Sequence, residues 1–171
     1  MKRHLLLLWL VAVAATAAWA NWPQAPLPEN TRADRVVVRK TARMLDLYRG
    51  ANLLRSYSVS LGHTPQGAKR QAGDGKTPEG DYRLDYRKLD SAFHRALHIS
   101  YPAPRDAAAA KARGVDPGGQ VMIHGMKNGL GWLGRAHLAV DWTNGCVAVT
   151  DREIEEILRV VPDGTAIRIE P

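Results

Sequence analysis

The sequence predicts a mainly β domain, a curled mixed sheet or sandwich with one or two helices packed on it. Short apolar runs recur between Gly- and Pro-bearing turns, which is the rhythm of strands. Only one segment, near the C-terminus, carries a complete set of helix signals. Strand-rich chains with so few helices bury a sheet face under the helices they have.

The first element is a leader. Lys2 and Arg3 give a basic head, residues 5–17 are uncharged and largely apolar, and Ala18-Trp19-Ala20 supplies small residues around a bulky one. That order reads as a secretory signal peptide cut after Ala20. The run is shorter than the roughly 20 apolar residues a bilayer span needs. No stable membrane span is expected after cleavage, and the expected location is periplasmic or otherwise extracytoplasmic. Residues 21–34, with three prolines, read as a tether. Residues 35–171 then form one domain of ordinary size.

Val36-Val37-Val38 is a strand core, and residues 44–48 and 53–60 alternate around the turn Arg49-Gly50-Ala51-Asn52 as a hairpin. Residues 61–78 are rich in Gly, Pro, Lys and Gln and read as a long loop. Strands are expected at 82–86, 97–100 and 121–123, a short helix at 105–113 stopped by Gly114, and a glycine-bearing loop at 128–134. Residues 146–149 and 166–169 are further strands. Between them Thr150-Asp151-Arg152-Glu153 is a capping box, and Ile154, Ile157, Leu158 and Val161 follow at helical spacing.

The chain has a formal charge of +7, and loss of Lys2 and Arg3 with the leader leaves +5. Export and the scatter of the basic residues argue against a nucleic-acid partner. There is a single cysteine, Cys146. An exported protein that keeps one thiol in an oxidising compartment is expected to use it.

Two segments share a format. Val121-Met122-Ile123 is an apolar strand that ends at His124-Gly125, and Gly145 precedes Cys146 at the start of Cys146-Val147-Ala148-Val149. Both polar groups stand where a buried strand meets a loop, a position both precise and reachable. A thiol reacts as thiolate, and an imidazole can take its proton. His137 and Trp142 are candidates to line the same cleft. His63, His94 and His98 read as structural, and Asp141 as an exposed loop carboxylate.

These residues resemble the L,D-transpeptidase catalytic family of the YkuD type. The family pattern is an upstream His-Gly, then Ser or Thr, any residue, Gly and Cys. Here it is met by His124-Gly125 and by Thr143-Asn144-Gly145-Cys146. Thr77-Pro78-Glu79-Gly80-Asp81-Tyr82 resembles a second family signature, and the run 141–150 leading into an acidic helix resembles a third. The resemblance spans about residues 35–171. It implies a sheet of the L,D-transpeptidase type and a two-step acyl transfer on peptidoglycan stem peptides. Cys146 would be the nucleophile and His124 the base. Gly125 would orient the histidine through its carbonyl, and Gly145 would allow an oxyanion close to the backbone. Thr143, Asn144, His137 and Trp142 would face the substrate. No cofactor or metal is implied. The sequence departs from the family at Asn144, where His is common, and at Ala148, where Arg or Asn is common. Both departures fit a divergent branch with carboxypeptidase or amidase activity. Two other classes compete: a zinc hydrolase on His124, His137 and Cys146, and a non-catalytic wall-binding module. The oligomeric state is not expressed in the sequence.

Overall fold

In the computed structural model, residues 24–171 are described, together with residues 9, 15, 18 and 22. Most of the expected leader lies outside the described residues.

One eight-stranded sheet organises the chain, so the curled-sheet expectation holds and a two-sheet sandwich does not form. β1 (Arg35–Arg39) and β2 (Met44–Arg49) pair antiparallel, and β2 pairs with β3 (Asn52–Ser58) through the expected turn. Gly50 at the turn has φ of 58°, a left-handed conformation that glycine adopts without a Cβ penalty. β8 (Thr165–Glu170) lies parallel to β1, and β4 (Gly80–Ser91) lies antiparallel to β8. β5 (His94–Ile99), β6 (Met122–His124) and β7 (Val147–Ala148) complete the order β3-β2-β1-β8-β4-β5-β6-β7.

The two ends of this row meet. Ser60, just past β3, exchanges backbone hydrogen bonds of 3.0 and 2.8 Å with Ala148 on β7. The next bridge pairs Gly62 with Thr143. The sheet therefore curls until its first and last strands join, and the junction falls beside Cys146.

The long β4–β5 hairpin extends the strands expected at 82–86 and 97–100. The loop expected at 128–134 is cut short, because residues 131–134 already belong to a kinked 3-10 segment, Gly131–Ala139. Apolar periodicity is too weak there to reveal it, and its turns are set by packing instead.

α1 (Pro104–Ala112) starts on Pro104, and Asp106 Oδ2 accepts from the Ala103 N–H at 2.9 Å. α2 (Asp151–Val160) carries the anticipated capping box: Thr150 N–H donates to Glu153 Oε2 at 2.8 Å, and Glu153 N–H to Thr150 Oγ1 at 3.4 Å. Its apolar stripe of Ile154, Ile157 and Leu158 joins Val36, Leu45, Leu84, Leu97, Ile123 and Ile167 in the core. Residues ahead of β1 lie against the outer side of α2, with Leu27 N–H donating to Glu156 Oε1 at 2.7 Å and Arg159 to Leu27 O at 2.9 Å. Among the described residues no helix is long and apolar enough to cross a membrane.

Candidate active site

β6 and β7 run parallel, with Ile123 level with Val147 and His124 level with Ala148. Continuing that register by one residue sets Cys146 level with Met122. Side chains alternate along a strand, so Met122, His124, Cys146 and Ala148 share one face. Strand spacing puts His124 and Cys146 roughly 8 Å apart at Cα, a diagonal that imidazole and thiol side chains can bridge. Residues 22 positions apart in sequence are thus neighbours.

His124 is buried, and its Nδ1 lies 2.6 Å from Gly125 O. A carbonyl only accepts, so Nδ1 carries the proton and Nε2 is left as the basic nitrogen. Phe93 and Trp142 wall the ring, with centroids at 4.6 and 5.7 Å. Burial pushes the imidazole below its ordinary range, against the pull of the Gly125 carbonyl.

Gly125 has no room for a side chain. A Cβ there would sit 2.6 Å from Asp151 Oδ1 and 3.1 Å from Ile154. Asp151, the first residue of α2, accepts the Met126 N–H at 2.7 Å. The helix start therefore grips the corner that presents His124.

The Cys146 thiol is partly exposed, and its Sγ lies 3.7 Å from Gln120 O. Burial pushes the thiol up; the Met122 N–H and the Lys69 ammonium pull it back down. The resting site is accordingly a neutral thiol beside a neutral imidazole, not the imidazolium–thiolate pair that the low pKa of many catalytic thiols suggests.

Thr143 holds the turn before the thiol. Its buried hydroxyl donates to Cys146 O at 2.8 Å and accepts the Gly145 N–H at 3.1 Å. That commits Thr143 to shaping the turn. It also engages the Gly145 N–H, so what Gly145 offers is backbone shape. Its φ is 122°, and a Cβ would strike Lys76 O. Asn144 is exposed at the tip of the turn. Ala148 is wholly buried where the sheet closes on Ser60.

His137 is buried and faces Ser60 and Trp142. Trp142 Nε1–H points to His137 Nδ1 at 3.3 Å, and the Ser60 hydroxyl donates to His137 O at 3.0 Å. Nδ1 is then the acceptor and Nε2 carries the proton. Burial, then neighbouring His124, push this imidazole down to about 4, against the pull of Asp151. An unfolded chain protonates the same group near 6.5. The unfolded state therefore takes the proton first, and the fold loses stability as pH falls from about 6.5 to about 4. At 1.36 kcal/mol per unit the His137 share is about 3 kcal/mol. Urea midpoints at pH 7.5 and 4.5 should differ clearly for the native chain and much less for His137→Asn. Equal losses in both proteins would assign the acid sensitivity elsewhere.

The loop 61–79 is anchored from within. Thr77 Oγ1 accepts the Gly62 N–H at 3.1 Å, and Glu79 pairs with buried Lys40 at 2.6 Å, so the Thr77-Pro78-Glu79-Gly80 turn is structural as expected. His94 and His98 pair with Glu155 and Asp85, also as structural residues. Asp141 differs from expectation: it is largely buried, bound to Arg43 at 2.7 Å, and accepts the Leu61 N–H at 2.9 Å. It fixes the chain at the closing bridge. Trp132 is 70% exposed and stands away from a core role.

Sequence reasoning missed Phe93, Gln120, Asp151 and Lys69. Phe93, Gln120 and Lys69 sit in no motif of their own. The position of Asp151 at the start of a capped helix is the one local signal that could have found it. Among the described residues no three His, Cys, Asp or Glu side chains form a metal-ligand group, so His124, His137 and Cys146 do not converge as a zinc site would.

A sheet closed on itself carries a thiol and an oriented imidazole on one face at the seam, and that layout is shared with a known family of cell-wall domains. The chain belongs to the YkuD family of L,D-transpeptidase catalytic domains, which it matches over residues 33–169. It is 31% identical over 132 residues to YafK of Escherichia coli (strain K12), which is named an L,D-transpeptidase by inference; the match covers 74% of this chain and 46% of YafK. Its fold is similar to that of the helical cell shape determining protein Pgp2 of Campylobacter jejuni, with a TM-score of 0.61, 24% identity and coverage of 92% and 54% of the two chains. It is also similar to Bd1075 of Bdellovibrio bacteriovorus, with a TM-score of 0.55, 23% identity and coverage of 88% and 52%. The chain thus spans about half the length of these relatives.

Proposed function

We propose that this chain is an exported cysteine L,D-transpeptidase that acts on tetrapeptide stems of peptidoglycan. The observation that carries the reading is the shared face of His124 and Cys146, with the His124 tautomer set by Gly125. Cys146 Sγ attacks the amide carbonyl that follows the L-centre of diaminopimelate, and its proton passes to His124 Nε2. The C–N bond breaks, the amine of the terminal D-residue leaves with that proton, and a thioester remains on Cys146. His124 then takes a proton from the incoming amine of a second stem, or from water, as the thioester is opened. An amine acceptor gives a cross-link or an exchanged terminal residue. Water gives L,D-carboxypeptidase or amidase activity.

Hydrolysis is the second reading, and a specific observation favours it. Asn144 and Ala148 replace the family's usual side chains on the substrate side, and Ala148 is buried on the strand next to His124. The separating experiment offers tetrapeptide muropeptides to the purified chain with and without a D-amino acid acceptor. Exchange products support transfer, tripeptides alone support hydrolysis, and unchanged tetrapeptides would sink both.

A further inference from the structure

Lys69 is a buried cation beside the nucleophile that the acyl-transfer scheme does not use. Its side chain is 4% exposed. A Cβ on Gly145 would lie 3.9 Å from its Nζ, and one on Gly118 would lie 3.4 Å from its Cε. Gly145 precedes Cys146, and Gly118 lies just before Gln120, whose carbonyl faces the thiol. The ammonium thus stands between the two backbone segments that flank Sγ. Its positive charge reaches the thiol, as its pull on Cys146 shows.

An ammonium has three N–H bonds. Gln71 O takes one at 3.1 Å and Asp74 Oδ1 another at 2.9 Å, and among the described residues the third is unmatched. Nor does Asp74 cancel the charge alone. Its carboxylate also accepts the backbone N–H groups of Arg70, Gln71 and Lys76. Burial would raise this carboxyl, yet those donors and Lys69 outweigh it and hold it at about 2. Asp74 therefore works as a clamp that ties the loop and fixes the ammonium in place.

We infer that Lys69 binds a substrate carboxylate, that of the leaving residue, and so selects stems cut next to a free C-terminus. This rests on the function proposed above. A cation this close to the nucleophile can reach only the carboxylate nearest the scissile carbonyl. In a terminal D-residue the amide nitrogen and one carbon separate the two groups. The side-chain carboxylate of diaminopimelate is a full side chain further away. A lysine suits this task, since it offers a compact point charge with rotatable donors.

The test compares a tetrapeptide stem ending in a free carboxylate with the same peptide ending in a carboxamide. The native chain should prefer the acid by roughly 10- to 100-fold in kcat/KM, the range of a charge-assisted hydrogen bond. Lys69→Met should lose that factor on the acid and change little on the amide, so that the preference collapses, while Lys69→Arg retains part of it. Lys69→Met with Asp74→Asn removes the carboxylate left without its cation. It should show the same collapse with folding verified by circular dichroism. Equal slowing of both peptides would place Lys69 on the oxyanion or in the loop alone and overturn the inference. A native chain that cuts both peptides equally would also overturn it, leaving the acyl-transfer reading intact. Turnover of neither peptide would remove both.

Discussion

Cys146→Ala is expected to abolish turnover of tetrapeptide stems, by about 10³-fold or more, with the fold unchanged. Loss of a covalent nucleophile removes the step that divides one hard acyl transfer into two easier ones. The structural cost should be small. Cys146 is partly exposed, its sulfur makes a long contact to Gln120 O and takes the Met122 N–H, and the turn before it is held by Thr143, not by the thiol. A change in stability of about 1 kcal/mol or less follows. Turnover and circular dichroism on matched samples check both halves. An alanine variant that still processes stems would remove Cys146 from the chemistry.

The second large effect concerns His124 and pH. His124→Ala should lower kcat/KM by about 10²- to 10⁴-fold, the usual worth of a general base. Because burial holds its imidazole below the ordinary 6.5, the base is already deprotonated at neutral pH. Native activity should therefore persist through neutrality and fall only at pH below the ordinary imidazole value of about 6.5, as His124 takes a proton. The thiol is shifted the other way, so no standing thiolate waits at low pH. Alkylation of free Cys146 by iodoacetamide should be slow at pH 6 and rise only above the ordinary thiol range of about 8.5. Fast labelling at pH 6 that disappears in His124→Ala would instead reveal an ion pair at rest. In that case the neutral-pair description of the site would be wrong.

A cysteine close to a histidine, read from motifs, suggests a depressed thiol pKa, since the motif shows the charge partner but not the solvent. The structure adds the desolvation of both groups by the fold around them, which opposes both charged forms. The same blindness applies to Asp141. A carboxylate between Val140 and Trp142 looks like an exposed loop residue. Only the closing bridge between Gly62 and Thr143 brings Leu61 and Arg43 to it. Lys69 and Asp151 belong with it, because each matters through neighbours far along the chain.

The fold was partly open to reading. β1, the β2–β3 hairpin, β8 and the capped α2 follow from alternation, turn residues and capping chemistry, all contained within a few consecutive residues. The 3-10 segment Gly131–Ala139 escaped, because it is stabilised by what it packs on and not by its own periodicity.

What the sequence determined by itself was local: a strand ending at His124, a glycine-framed thiol at the head of another strand, and a helix that begins at Asp151. Local backbone preference and short-range hydrogen bonds suffice for these. What only the tertiary structure decided was which of these ends meet, on which face, and how dry they are. The β6–β7 register sets the thiol beside the imidazole, and the loop between β3 and β4 carries a buried ammonium to the Gly145 backbone just before the thiol. Register, burial and electrostatic environment are properties of strands brought together from distant parts of the chain, and no window of neighbouring residues contains them.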